Sequence, residues 1–251
     1  MQHVPLENGF MSLYSTFSDG KKKFAVLVDP DKYGSHQLID LVGLAEKSKV
    51  SFFFVGGSLL SHGNISQTIK IIKDHSGIPT IIFPGDEMQI TDNADAILLL
   101  SLISGRNPDL LIGKHVIAAP YLKKSGLEIL PTGYMLIDSG RITTALYMSN
   151  SIPIPHEKDE IAVSTAVAGE MLGLKLIYMD GGSGAQESVS LSMIEKVKSN
   201  ISVPLIIGGG ICTPHSASER LKAGADVVVI GNAIENNFAL LSQMAEVVYS
   251  F

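Results

Sequence analysis

The chain has 251 residues, of which 45% are hydrophobic, and a formal net charge of −6. That length allows one large domain with a sizeable core or two small ones. Scattered basic residues argue against nucleic acid as a partner. No apolar stretch reaches the roughly 18 to 20 residues of a membrane-spanning helix, and the single cysteine, Cys212, excludes an internal disulfide. We therefore expect a cytoplasmic protein.

The predicted elements begin with a lead-in helix over about 5–18, in which Leu6, Phe10 and Phe17 lie roughly on one side. Eight short apolar runs follow, and runs of this kind are typical of strands buried on both faces. The runs are Phe24–Val28, Phe52–Val55, Thr80–Phe83, Ala96–Leu100, Tyr134–Ile137, Leu176–Met179, Leu205–Ile207 and Val227–Ile230.

Segments with helical features separate these runs. Gln37–Ser48 places its apolar residues on one face. Asn107-Pro108 and Thr213-Pro214 each put a capping residue before a proline at the first helical position. The last helix is predicted to be continuous from Ile234 to Val248, where apolar residues step by three and four.

Two regions fit a regular pattern less well. Pro120 would kink any helix that runs through 106–131. The stretch 139–157 contains two prolines and is predicted to be an unstructured insertion after the fifth strand. Eight strands alternating with helices nonetheless predict an α/β fold, a (β/α)₈ TIM barrel, with the whole chain, 1–251, as a single domain. A doubly wound open sheet is the alternative.

Glycines gather at the ends of the last three predicted strands. Tyr178–Gly184 reads Tyr-Met-Asp-Gly-Gly-Ser-Gly, the seventh strand ends in Gly208–Gly210, and the eighth ends in Gly231-Asn232. Glycine lets backbone N–H groups approach an anion, and barrels commonly bind phosphate with the loops after strands seven and eight. These stretches therefore predict a phosphorylated ligand, although plain tight turns would also use glycine.

The first two strands end in residues suited to a hard cation. Asp29 follows the first strand and precedes Pro30, while Gly56-Gly57-Ser58 follows the second. Carboxylate and hydroxyl oxygens are the ligands that Mg²⁺ prefers. The alternative is that Asp29-Pro30 only begins a turn.

As a set, these motifs resemble the geranylgeranylglyceryl phosphate synthase family and the related bacterial heptaprenylglyceryl phosphate synthases. The likeness extends from about residue 20 to the end of the chain. The motifs that carry it are Val28–Lys32, Val55–Ser58, Pro131–Tyr134, Tyr178–Gly184, Ile207–Ile211 and Ile230–Asn232.

The resemblance implies a Mg²⁺-dependent prenyltransferase of ether-lipid synthesis. It would join the 3-hydroxyl of sn-glycerol 1-phosphate to C1 of a polyprenyl diphosphate, geranylgeranyl diphosphate above all, and release diphosphate. Asp29 and Ser58 would bind the metal, and Asp180 with Tyr178 would act on the attacking hydroxyl. The implied glycerol-phosphate site comprises Tyr178, Met179, Asp180, Gly181, Gly182, Ser183, Gly184, Gly209, Gly210, Gly231 and Asn232.

The chain departs from the family pattern in two places. Many members carry glutamate followed by alanine where this chain has Asp180-Gly181, so its base is one methylene shorter. Bacterial relatives can carry a lysine at the position of Leu27, so that phosphate contact must come from another residue, for which Lys32 and Arg141 are candidates.

The apolar groove for the prenyl tail is predicted near Phe83, Leu100–Ile103 and Tyr121. Family resemblance also implies a homodimer or a larger homo-oligomer, and a lipid product implies transient contact with membranes. Two other interpretations remain open from the residues alone. One is a different phosphate-binding barrel, such as a sugar-phosphate isomerase or a decarboxylase. The other is a catalytically inactive phosphate-binding barrel.

Overall fold

Eight parallel strands form a closed barrel in the computed structural model, which describes residues 12–251. Closure is direct, because Ala25 of the first strand pairs with Phe52 on one side and with Val229 on the other. This confirms the predicted barrel and excludes the open sheet. The strands are β1 (Lys23–Val28), β2 (Phe52–Val55), β3 (Thr80–Ile82), β4 (Ala96–Leu102), β5 (Glu128–Leu136), β6 (Leu176–Asp180), β7 (Leu205–Gly208) and β8 (Val227–Ile230).

Helices surround the barrel and connect its strands. A 3-10 turn (Glu87–Gln89) and a π-helical turn (Asp109–Gly113) supplement them. Within residues 12–251 the α-helices are α1 (Leu13–Phe17), α2 (Ser35–Lys47), α3 (Ile65–His75), α4 (Lys114–Ser125), α5 (Thr144–Ser149), α6 (Asp159–Met171), α7 (Leu191–Lys198), α8 (Pro214–Ala223), α9 (Asn232–Asn236) and α10 (Leu240–Val248). None of the helices in this part of the chain is both long and apolar enough to cross a membrane.

Alternate residues of each strand point into two separate cores. On β6, Leu176 and Tyr178 face the barrel interior, while Ile177 and Met179 pack between the strands and the helices. Successive side chains of a strand point to opposite faces, so a strand buried on both faces reads as a continuous apolar run. This alternation fixes which residues of each strand can reach the mouth of the barrel.

The lead-in helix is shorter than predicted in the described part of the chain. It begins at Leu13 because Ser12 has extended backbone angles, and the Glu128 carboxylate accepts hydrogen bonds from the N–H groups of Leu13 (2.6 Å) and Tyr14 (2.9 Å). The helix lays Phe17 on Phe52, with ring centroids 4.4 Å apart. It therefore covers the amino end of the barrel. The predicted positions 5–11, and with them the start of the proposed single domain, lie outside the described residues.

Two predicted boundaries were wrong for local reasons. The fifth strand begins at Glu128 rather than Tyr134, because a proline, a threonine and a glycine interrupt the apolar pattern of a stretch that pairs with β4 throughout. The last helix is divided into α9 and α10, because Asn237 has extended backbone angles (φ −155°, ψ 98°).

The stretch predicted to be an unstructured insertion is ordered. It contains α5, whose amino end is capped by the Thr143 hydroxyl. Ile154 pairs with Ile137 at the end of β5, which fastens the segment to the barrel mouth. The region 106–131 resolves into the π-helical turn, α4 and the start of β5, and α4 continues through Pro120, which is exposed.

Candidate active site

Two neighbouring pockets lie at the carboxyl ends of the strands. The first, called the glycine pocket, is formed by the loops after β6, β7 and β8. Its lining residues are Leu27, Tyr178, Asp180, Gly182–Ala185, Gly209–Cys212, Val229 and Gly231–Ala233. The second, called the apolar pocket, lies over the ends of β2 to β5. Its lining residues are Gly57, Ser58, Phe83–Asp86, Leu100, Leu102, Leu110, Lys114, Tyr134, Leu136, Ala145, Met148 and Ser149.

Backbone atoms build the glycine pocket. A methyl group on Gly209, whose φ is +81°, would lie 2.7 Å from the Gly182 nitrogen and 2.9 Å from Asp180 Oδ1. The loops after β6 and β7 therefore touch backbone to backbone, which only glycine permits. Gly182, Gly184 and Gly210 also have positive φ angles. The sequence prediction that these loops form one site is consistent with this packing.

Several residues that line this pocket have backbone N–H groups without a protein acceptor in the described part of the chain. Within the described residues, the N–H groups of Ser183, Gly184 and Gly210 donate to no other protein group. The first N–H groups of α9 lack partners inside their own helix. The Ser183 hydroxyl donates to Asn232 Oδ1 (3.0 Å) and joins the loops after β6 and β8. A concavity of N–H groups of this kind is suited to a phosphate group.

Asp180 is the buried acid of the glycine pocket and ends β6. Its Oδ2 accepts a hydrogen bond from the Tyr134 hydroxyl (2.6 Å), and its Oδ1 accepts one from the Gly182 N–H (2.7 Å). Burial raises the pKa of Asp180, and the two hydrogen bonds lower it by less. A carboxylate held in one orientation with a raised pKa is suited to accept a proton from a bound hydroxyl.

Three aromatic rings in mutual contact form the wall between the pockets. Tyr178 lies parallel to Phe83, with centroids 5.3 Å apart, and meets Tyr134 edge-on at 5.5 Å. Burial raises the pKa of both tyrosines, so their hydroxyls stay protonated. Tyr134 lines the apolar pocket and donates to Asp180 of the glycine pocket. The two pockets therefore meet at one hydrogen bond.

Most of the predicted glycerol-phosphate residues line the glycine pocket, and two do not. The Met179 side chain packs in the outer core, away from the barrel mouth. Gly181 lies behind the pocket, where its N–H donates to the Gly208 carbonyl (3.1 Å). A methyl group on Gly181 would lie 3.3 Å from the Ala185 Cβ and 3.4 Å from the Ser139 Cβ. That crowding is consistent with glycine rather than alanine after the acid.

The predicted metal ligands lie at adjacent strand ends. The Asp29 carboxylate accepts a hydrogen bond from the Asp31 N–H (3.0 Å) and lies 3.5 Å from the place a methyl group on Gly57 would take. Ser58, the next residue, lines the apolar pocket. Burial, together with the negative charge of Asp31, raises the pKa of Asp29. A cation close to Asp29 would offset the cost of burying its negative charge. Asp29 and Ser58 therefore fit Mg²⁺.

No cluster of three or more histidine, cysteine or acidic side chains is placed to hold a metal among residues 12–251. This does not conflict with a Mg²⁺ site, because Mg²⁺ is usually held by one or two carboxylates and by the phosphates of its substrate. Asp29 and Ser58 could supply the protein ligands of such a site.

The apolar pocket continues outward between β4 and α4. The extension is lined by Ile90, Ile97, Leu99, Ala118 and Leu122 and shares Leu100 and Lys114 with the pocket itself. Of the residues predicted for a prenyl groove, Phe83, Leu100 and Leu102 line the pocket. Ile103 instead faces α6, and Tyr121 is 69% exposed on the outside of α4.

Sequence reasoning missed three side chains of this region. Tyr134 was part of a motif but received no role. Lys114 lines the apolar pocket and forms an ion pair with Glu87 (3.1 Å). Gln89 holds the loop after β2, since its Nε2 donates to the Gly57 carbonyl (2.8 Å). The alternation of inward-facing and outward-facing side chains along β5 could have identified Tyr134. The positions of Lys114 and Gln89 depend on loop packing, which the sequence does not show.

Comparison with known proteins places the chain in a family. The family model described as the PcrB family matches residues 19–249. A geranylgeranylglyceryl phosphate synthase of Spirosoma linguale is 54% identical over 232 residues, which cover 92% of this chain and 93% of that protein. The synthase of Pyrococcus abyssi is 39% identical over 227 residues, covering 90% of this chain and 89% of that protein.

A solved structure is similar over almost the whole chain. It is the (S)-3-O-geranylgeranylglyceryl phosphate synthase of Thermoplasma acidophilum in complex with its substrate sn-glycerol-1-phosphate. It superposes with a TM-score of 0.90 at 29% identity and covers 96% of this chain and 100% of that one. The family match extends over most of the chain, and the barrel and its two pockets agree with it, so this chain belongs to the PcrB family.

Proposed function

We propose that this protein is a geranylgeranylglyceryl phosphate synthase, which joins the 3-hydroxyl of sn-glycerol 1-phosphate to C1 of geranylgeranyl diphosphate. The observation that carries the proposal is the Tyr134–Asp180 hydrogen bond (2.6 Å), which stands between a pocket of backbone N–H groups and an apolar pocket. The substrate in the Thermoplasma acidophilum complex supports the assignment of glycerol phosphate.

The acceptor is held by the glycine pocket. The phosphate contacts the free N–H groups of the β6 and β7 loops and the start of α9, an arrangement suited to a small dianion. The glycerol then extends toward Asp180, with the Tyr178 hydroxyl beside it on the pocket lining. Tyr178 makes no hydrogen bond to another group within the described residues, so its hydroxyl is available to the substrate.

Asp180 acts as the general base. Its carboxylate takes the proton of the 3-hydroxyl as the new bond forms between that oxygen and C1 of the donor. The bond from C1 to diphosphate breaks at the same time, and diphosphate leaves with the bonding electron pair. Tyr134 and Gly182 hold both carboxylate oxygens in place. General base catalysis of this type contributes about 10²–10⁴-fold.

The donor occupies the apolar pocket, with its tail in the extension between β4 and α4. Asp29 and Ser58 would hold Mg²⁺, which neutralises the charge that develops on diphosphate. Lys114 lines the same pocket, and its ammonium group, which forms an ion pair with Glu87 (3.1 Å), would also contact the diphosphate. An isomerase or decarboxylase would have no use for an apolar channel that leads away from the acid, and no lysine lines the described glycine pocket.

The test incubates the protein with Mg²⁺, labelled sn-glycerol 1-phosphate and a series of prenyl diphosphates, and then extracts lipid into organic solvent. We expect a labelled ether lipid, formed fastest with geranylgeranyl diphosphate. No extractable label with any donor would refute the proposal.

The metal site has its own experiment. Calorimetry of Asp29→Asn should show that Mg²⁺ no longer strengthens the binding of geranylgeranyl diphosphate, while sn-glycerol 1-phosphate binds as before. Asp40→Asn on the exposed surface of α2 serves as a matched control. Unchanged Mg²⁺ dependence in Asp29→Asn would remove Asp29 from the metal site.

A homodimer or larger homo-oligomer is part of the proposal. Several apolar side chains on α4 and at the carboxyl end of α6 are exposed, among them Val116 (66%), Tyr121 (69%) and the capping residue Leu172 (79%). Such a patch supports a protein interface. Light scattering of the wild type and of Val116→Glu should give a multiple of the 26.8 kDa chain mass for the first and a smaller mass for the second. A cytoplasmic location and transient membrane contact stay predictions.

A further inference from the structure

The proposed acceptor site contains an uncompensated charge. A dianionic phosphate would sit in the same pocket as the carboxylate of Asp180, and no side chain that lines the pocket among the described residues carries a positive charge. Leu27 occupies the wall where a lysine could have reached inward. Backbone N–H groups supply partial positive charge only. A cation from outside the lining would offset the repulsion that remains between the phosphate and Asp180.

Arg141 lies against the rim of this pocket. Its Nη1 is 3.7 Å, and its Cζ 3.9 Å, from the position that a methyl group on Gly184 would take. Gly184 is the last glycine of the loop after β6, and it lines the pocket. Arg141 is exposed, and within residues 12–251 it forms no ion pair or hydrogen bond through its side chain. Its guanidinium is thus available to a ligand bound below it.

The segment that carries Arg141 is fastened to the loop after β6. The Ser139 carbonyl accepts hydrogen bonds from the N–H groups of Gln186 and Glu187, both at 3.2 Å. Gly140, at φ +78°, turns the chain, and its N–H donates to Asp138 Oδ1 (3.0 Å). The backbone of this segment therefore holds Arg141 beside the loop after β6. By contrast, Lys32 lies near Asp29 and Glu235, on the β1 side of the barrel mouth.

We propose that Arg141 is a phosphate-binding residue, which reaches over Gly184 and makes charge-assisted hydrogen bonds to the phosphate of the glycerol substrate. This inference rests on the proposed function. Guanidinium presents paired donors that match phosphate oxygens, and lysine at the same place would supply a point charge only. The residue gives the site its preference for a phosphorylated glycerol and offsets the repulsion between phosphate and Asp180.

The test measures steady-state kinetics and calorimetric binding for the wild type, Arg141→Met and Arg141→Lys. A hydrogen bond to a charged group predicts that Arg141→Met raises the KM and the Kd for sn-glycerol 1-phosphate by about 10- to 100-fold. The KM for geranylgeranyl diphosphate stays unchanged. Inhibition by inorganic phosphate weakens in parallel, and Arg141→Lys recovers part of the loss.

Arg106→Met is the matched control, because Arg106 is an exposed arginine at the same end of the barrel, and within residues 12–251 its side chain hydrogen-bonds only to carbonyl groups of its own loop. We expect its kinetic constants to equal those of the wild type. An equal rise in KM in both variants, or a fall in kcat without a change in KM in Arg141→Met, overturns the inference. A wild-type protein that neither binds nor converts sn-glycerol 1-phosphate refutes the proposed function itself, whereas normal wild-type activity with normal Arg141→Met constants refutes only the role of Arg141.

Discussion

The glycine pocket and the apolar pocket share a wall but are built by different means. In the first, the loops after β6 and β7 touch through their backbones, and a methyl group added at Gly209 would collide with the backbone nitrogens of Gly181 and Gly182. In the second, side chains of β4, β5, α4 and α5, together with the loops after β2 and β3 and the π-helical turn, enclose a channel. The first is therefore sensitive to any added carbon atom, while the second can change volume without a change of backbone. Tyr134 and Asp180 connect the two.

The largest effect is expected where the pockets meet. Asp180→Ala removes the general base, so we expect kcat to fall about 10²–10⁴-fold, while sn-glycerol 1-phosphate still binds through the backbone N–H groups. Asp180→Glu restores a carboxylate that is one methylene longer and should recover part of the rate. Single-turnover kinetics with both substrates bound measure this step. Wild-type kcat in Asp180→Ala would assign the proton transfer to another group.

Alanine substitutions at two glycines, Gly209 and Gly173, distinguish the effect of backbone strain from the effect of damage to the glycine pocket. Gly209 (φ +81°) and Gly173 (φ +89°) have similar angles, but a methyl group on Gly173 meets no atom within 4 Å. Alanine at either site costs about 1–2 kcal/mol of folding free energy through its left-handed backbone. Only Gly209→Ala also displaces the loop after β6. We therefore expect its kcat/KM for glycerol phosphate to fall about 10²-fold. Thermal unfolding and kinetics of both variants test this, and equal kinetic losses would contradict it.

The two tyrosines of the shared wall should differ in their effect on pH dependence. The hydrogen bond from Tyr134 lowers the pKa of Asp180 against the larger effect of burial, so Tyr134→Phe raises that pKa further. In Tyr134→Phe, Asp180 therefore becomes protonated at a higher pH than in the wild type, and activity is lost at that higher pH as the solution is acidified. The wild-type midpoint in turn lies above the 3.8 of an ordinary aspartate. We also expect kcat/KM to fall about tenfold or more, because a hydrogen bond to a charged group is lost.

Tyr178→Phe serves as the comparison for Tyr134→Phe. It should raise the KM for glycerol phosphate and leave the pH midpoint in place, because Tyr178 has no hydrogen bond to Asp180 in the described structure. The pH profile of kcat/KM measures both. Identical profiles for the two variants would show that the Tyr134 hydrogen bond does not control the base.

The smallest effect is expected from filling the apolar channel. Ala118→Phe places a ring in the extension between β4 and α4, whereas Ala119→Phe points the same ring to solvent. Exclusion of even two methylene groups from apolar contact costs about 1.6 kcal/mol, or somewhat more than tenfold in affinity. We expect Ala118→Phe to lower kcat/KM for geranylgeranyl diphosphate relative to farnesyl diphosphate by at least that factor. An unchanged ratio would place the tail elsewhere.

Local pattern was sufficient to predict most of the strands and the strand ends at which glycines gather. The runs Phe52–Val55 and Val227–Ile230 match β2 and β8 residue for residue, because parallel strands buried on both faces are continuous apolar runs. The same continuity hid which residues face inward. Met179 was predicted in the site because the family resemblance assigned the whole stretch Tyr178–Gly184 to it, but the alternation of β6 turns its side chain toward the helices.

The amino-acid sequence by itself determined the number and order of the strands, the strand ends that carry glycine, and the place of Asp180 at the end of β6. These depend on residues adjacent in the chain. Only the tertiary structure decided that Tyr134, 46 residues away, holds the Asp180 carboxylate, and that Arg141 rests on Gly184. It also decided that Asn237 interrupts the last helix. Closure of the barrel and packing of its loops bring these groups together, and no local pattern of residues encodes those distances.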